Sequence, residues 1–115
     1  SEAPERVFDL DQARELSGEA ALRPGQAMHR FLRALASDSY RGFSICSLFG
    51  KVFPGEYFNP SSSPRRVHAV ALRLRAWSET HQVPLAIRSR KGAFRLRSTG
   101  PYGFLVRDSS GAVSA

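Results

Sequence analysis

Residues 65–97 read RRVHAVALRLRAWSETHQVPLAIRSRKGAFRLR, and a change of pattern inside this stretch decides the fold. Its first half returns apolar side chains at the helical period, as Val67, Val70 or Ala71, Leu74 and Trp77. After His81-Gln82-Val83-Pro84 the period becomes two. Leu85 and Ile87 alternate with Ala86, Arg88 and Arg90, and on the returning arm Phe94 and Leu96 alternate with Arg95 and Arg97. Arg90-Lys91-Gly92-Ala93 is the turn, with Gly92 free to take a positive φ. The stretch holds nine Lys/Arg (Arg65, Arg66, Arg73, Arg75, Arg88, Arg90, Lys91, Arg95, Arg97) and one acid, Glu79. It therefore carries +8, and the rest of the chain's 17 bases and 10 acids leaves −1. A basic helix followed by a basic hairpin is the footprint of a module that grips a polyanion.

Immediately upstream, Ser63 is placed to cap this helix and Pro64 to occupy its first position, so the helix is expected over Pro64–Thr80. Residues 56–63 are a turn-rich connector. Before it, Ile45, Leu48, Phe49 and Val52 form an apolar stripe extended by Phe53, with Ser44 as N-cap and Pro54-Gly55 as the stop. Cys46 sits beside that stripe and reads as a small buried or half-buried side chain. Met28, Phe31, Leu32 and Leu35 mark an earlier helix at i, i+3, i+4 and i+7, with Pro24 suited to its first turn and Ser37-Asp38-Ser39 with Gly42 closing it. Short strands are expected at Val7-Phe8-Asp9-Leu10 and Glu15-Leu16-Ser17, joined through Asp11-Gln12, with a third including Ala21-Leu22. Together they form a small antiparallel sheet. Beyond Arg97, Tyr102-Gly103-Phe104-Leu105-Val106 is an apolar patch that fades into Ser, Gly and Ala. The expected organisation is a flexible terminus at 1–6, a folded domain at 7–97, and a partly mobile extension at 98–115.

Bulk properties narrow the function. At 115 residues and 42% hydrophobic, the chain suits one globular domain. No apolar run approaches the roughly 20 residues of a membrane span, and Ser1-Glu2-Ala3-Pro4-Glu5 does not read as a signal peptide. One cysteine excludes an internal disulfide and suits a cytoplasmic setting. A pI near 10.7 favours nucleic acid as partner. No helix pairs a basic face with a broad, bulky apolar one as a membrane surface would need, and no small-molecule substrate is expected. His29, His68 and His81 fall on different expected elements and lack the spacing of a zinc pair. Neither a phosphate-binding glycine loop nor a nucleophile elbow is present, so no enzyme activity, metal or cofactor is expected. Trp77 and Phe94, candidate stacking platforms for single strands, fall on inward stripes and read as core.

Helix, helix, basic helix, basic hairpin is the order of a winged helix–turn–helix, an α+β fold whose third helix enters the major groove while the hairpin wing meets the backbone or minor groove. The residues resemble the effector domains of OmpR/PhoB-type response regulators. That resemblance lies in Leu48, Val52 and Phe53, in Arg65-x-Val67 with Arg73-Leu74-Arg75, and in Ile87-Arg88-Ser89-x-Lys91-Gly92-x-Phe94-Arg95-Leu96. It covers roughly Val7 to Arg97 and includes the short strands ahead of the first helix. The resemblance implies a short N-terminal antiparallel sheet, three helices and a wing at Leu85–Arg97. It further implies double-stranded DNA as partner, a role in bacterial transcription regulation, and action beside a second copy or the transcription machinery. By position, Arg65 and Arg73 resemble the family's DNA-contacting arginines, Ser89 and Lys91 its wing contacts, and Phe94 the wing aromatic.

From their places on the two basic elements, Arg66, Ala69, Arg88, Arg90 and Arg95 join the expected DNA-binding set of Arg65, Arg73, Ser89 and Lys91. Ala69 lies between Arg66 and Arg73, where its small side chain lets a groove wall approach. The chain departs from the family at Val70 and Leu72, where polar or basic residues are frequent, and at His68, where an acid is usual. The glycine before the wing aromatic is also missing. A rival reading uses Val70 and Leu72 as an exposed apolar patch for a protein partner.

Overall fold

The computed structural model describes residues 6–16, 18–37, 42–107 and 113–114, and within them the chain is a mixed α+β structure. Strand β1 (Val7–Asp9) pairs antiparallel with β2 (Arg14–Glu15), Phe8 opposite Glu15. The turn between them is held by Asp9, whose Oδ1 accepts from the Asp11 and Gln12 amides at 2.9 and 3.1 Å. Ala21 makes an isolated bridge to Arg14 rather than a third strand. Ser17 lies outside the described residues.

Helix α1 (Ala27–Ser37) buries Phe31, Leu32 and Leu35 on the expected stripe, with Met28 half-buried. Pro24 and Gly25 (φ +77°) form a turn ahead of the helix instead of its first turn, because the Gly25 amide donates to His29 Nδ1 at 2.9 Å. That bond leaves Nε2 to carry the ring proton and donate to the Leu10 carbonyl, tying the helix to the N-terminal turn. The helix closes at Ser37, and residues 38–41 lie outside the described set.

Strand β3 (Phe43–Ser44) leads directly into helix α2 (Ile45–Val52). Ser44 is the N-cap, its Oγ accepting from the Ser47 amide at 3.1 Å. Leu48, Phe49 and Val52 point inward. Cys46, expected at least half-buried, is exposed, because the apolar stripe turns away from it at the helix's first turn.

Helix α3 spans Ser63–Thr80. Ser63 does not cap it as expected. It is buried, and its hydroxyl accepts the Asn59 amide at 2.7 Å, closing the connector onto the helix start. Val67, Val70, Ala71 and Leu74 form the buried stripe. Trp77, half-buried, meets Phe8 edge-on at 5.7 Å and donates from Nε1 to the Ala21 carbonyl at 2.9 Å.

Strands β4 (Leu85–Arg90) and β5 (Ala93–Ser98) form the hairpin, and β3 pairs on the far side of β5 in the order β3-β5-β4. Phe94 is buried against Phe31, ring centroids 5.8 Å apart, so it is core and not a stacking platform.

The C-terminal segment is more integrated than its composition suggests. Strand β6 (Gly103–Arg107) lies parallel to β1, with Phe8 opposite Phe104, and β7 (Val113–Ser114) pairs on its other side. The N-terminal sheet is therefore mixed, in the order β2-β1-β6-β7, and the boundary expected after Arg97 falls inside the folded unit. Residues 108–112 and 115 lie outside the described set, as do 1–5 of the expected flexible terminus.

Arg6 bridges the elements. It pairs with the Glu15 carboxylate and donates to the Gln82 and His81 carbonyls at 2.7 and 3.2 Å, just past the end of α3. Tyr102 donates its hydroxyl to the same carboxylate at 2.9 Å. Burial and that hydrogen bond push the Tyr102 phenol well above the usual tyrosine value. The Glu15 hydrogen bond likewise raises Arg6, which stays charged. This network ties the segment after α3 to the N-terminal strands and to Tyr102.

Candidate nucleic-acid interface

The 3.6 period that buries Val67, Val70 and Leu74 turns Arg65, Ala69, Leu72, Arg73 and Ala76 to solvent. Arg66 and Arg73, two turns apart, lie on the flank of α3 nearer α2. The hairpin lies along the opposite flank, where His68 packs on Phe94 with ring centroids 5.1 Å apart. On that side Arg75 reaches across and donates to the Ile87 carbonyl on the open edge of β4. An open groove of about 470 Å³ runs along this junction, with Arg75, Ser78 and Glu79 on one wall and Ala86, Arg88 and Ser89 on the other.

Arg66 is exposed but engaged. Its guanidinium donates twice to Glu56, at 2.7 and 3.2 Å, and lies 4.0 Å from the Phe53 ring centroid. The arginine's hydrogen bonds hold the Glu56 carboxyl below the usual range, and Glu56 in turn raises Arg66. Both side chains are close to half exposed, so solvent screens the pair and its stabilising effect is small. Its consequence is competitive, because an incoming anion would meet a guanidinium already bonded to a carboxylate.

The hairpin separates its residues by alternation. Ile87 faces Leu96 across the strands, and with Phe94 they pack down. Arg88 stands directly opposite Arg95, and Arg90 and Arg97 share their face, so four exposed arginines crowd one surface. Ser89 has the other parity, opposite Phe94, and lines the groove instead of joining the arginines. At the tip Lys91 (φ +53°) and Gly92 (φ +76°) both take the left-handed conformation, the signature of a type I′ turn. Only Gly92 does so without steric cost.

All nine expected residues, Arg65, Arg66, Ala69, Arg73, Arg88, Ser89, Arg90, Lys91 and Arg95, are exposed. They divide into the outward face of α3, its α2 flank, the groove wall, and the outer face and tip of the hairpin. Arg97, Arg75 and Glu56 complete the picture. Strand alternation marks Arg97 beside Arg95, whereas nothing local links Glu56 to Arg66 or Arg75 to β4. Val70 is fully buried and Leu72 is 61% exposed, so the apolar patch expected from the two together is not formed. Residues two apart on a helix face different ways.

No helix among the described residues is long and apolar enough to cross a membrane. No protein-family model matches the chain, and no curated protein or solved structure matches it either.

Proposed function

We propose that the chain is a winged helix–turn–helix that binds duplex DNA, with α3 in the major groove and the β4–β5 hairpin as a wing on the backbone. What supports this reading is the attachment of the basic hairpin to the basic helix, with Arg75 of α3 bonded to the Ile87 carbonyl of β4 and Arg88 on the facing wall of the groove. With Arg66 held by Glu56 and Arg75 by Ile87, seven exposed cations of the basic stretch remain for phosphates: Arg65, Arg73, Arg88, Arg90, Lys91, Arg95 and Arg97. Seven contacts correspond to a log–log salt slope of about −6.

A role as the output module of a bacterial transcription regulator follows from the resemblance to OmpR/PhoB-type effector domains, which stands on the motifs of α3 and the wing. Duplex binding measured by fluorescence anisotropy at several salt concentrations tests the proposal. Binding indifferent to salt, or unchanged in R73A/K91A, would refute it. The protein-contact alternative loses its main support with Val70 in the core.

A further inference from the structure

We propose that α3 reads the 5-methyl groups of pyrimidines in the major groove through Leu72, flanked by Ala69 and Ala76. This rests on the DNA-binding reading and specifies what the helix recognises. Ala69, Leu72 and Ala76 follow one another at i, i+3 and i+7 along the middle of the outward face, and all three are exposed. Leu72 is 61% exposed, whereas Val70, two residues before it, is fully buried. An aliphatic side chain of that size held in water gains by burial against another apolar group.

The alanines on either side are short, so Leu72 stands proud of the helix and the backbone can approach a base edge closely. None of the three offers a hydrogen-bond donor or acceptor, so this strip cannot sort base pairs by their polar pattern. The apolar feature that B-DNA presents in its major groove is the C5-methyl of thymine, and 5-methylcytosine carries the same group in the same place. Arg65 continues the strip at its N-terminal end and Arg73 flanks it on the α2 side, and both suit phosphates beside a groove. That cationic frame selects a polyanion over an apolar protein surface as the occupant.

Four duplexes of equal length test the inference by anisotropy at low salt: alternating A/T against alternating A/U, and alternating G/C against its 5-methylcytosine form. The methylated member of each pair is expected to bind tighter, by about fourfold for each methyl group contacted. In Leu72→Ala that ratio should fall toward one in both pairs, with the fold checked by circular dichroism. Equal affinities within both pairs would overturn the methyl reading and leave DNA binding standing. A preference confined to A/T, or one that persists in Leu72→Ala, would assign the selectivity to duplex shape and also overturn it. Failure of all four duplexes to bind would overturn both this inference and the function it rests on.

Discussion

Replacing Arg95 by threonine is expected to stabilise the protein and weaken the proposed binding to DNA at once. Arg95 stands directly opposite Arg88 on the outer face of the hairpin, with Arg90 and Arg97 on the same surface. Directly opposed like charges on a sheet cost about 0.2–1 kcal/mol. A Coulomb estimate agrees: two unit charges roughly 7 Å apart in water repel by about 0.6 kcal/mol. Threonine removes that repulsion and suits a strand. The unfolding free energy should therefore rise by roughly 0.5–1 kcal/mol, or about 2–8 °C in Tm for a domain of this size. At 1 M salt the Debye length is about 3 Å, so the electrostatic part of the gain should vanish there. Loss of one phosphate contact should make the DNA salt slope shallower by about 0.9. Urea denaturation at low and high salt, with anisotropy titrations alongside, reads both effects, and R95K serves as the charge-preserving control. A destabilised R95T at low salt, or a gain equal at both salts, would refute the electrostatic reasoning. An unchanged DNA slope would remove Arg95 from the interface.

Arg75→Met keeps the aliphatic stem but loses the charged donor to the Ile87 carbonyl, and should cost about 1–3 kcal/mol in chemical denaturation. Glu56→Gln frees Arg66, so DNA affinity should rise and the salt slope steepen by about 0.9. The depressed Glu56 carboxyl contributes stability present above the usual glutamate range and lost as pH falls through its lower folded value, so that acid-side dependence should weaken in E56Q. The raised Tyr102 phenol works in the opposite sense. Its contribution is complete below the ordinary tyrosine value of about 10 and is lost as pH rises above it, because the unfolded phenol ionises first. Denaturant midpoints across the alkaline range should show a steeper decline in wild type than in Tyr102→Phe. Lys91→Asn places a residue tolerant of left-handed backbone at the tip and should stabilise the hairpin by a few tenths to about 1 kcal/mol, measured by thermal melts.

By itself the sequence determined whatever repeats at a local period or is capped locally. The inward stripe of α3, the two arms of the hairpin, the Ser44 cap and the basic surplus were all legible, because helices and strands display their faces at 3.6 and two residues. The same period separates Val70 from Leu72, one turned into the core and the other to solvent.

Tertiary structure alone decided what distant segments do to one another. Strand β6 beside β1, the two-residue β3 against β5, Glu56 holding Arg66, and Arg75 spanning to Ile87 leave no periodic trace. Ladder hydrogen bonds join backbone groups that every residue carries, and an arginine's long stem reaches whichever acceptor the fold brings near. Those pairings engage two of the nine cations between residues 65 and 97, Arg66 and Arg75.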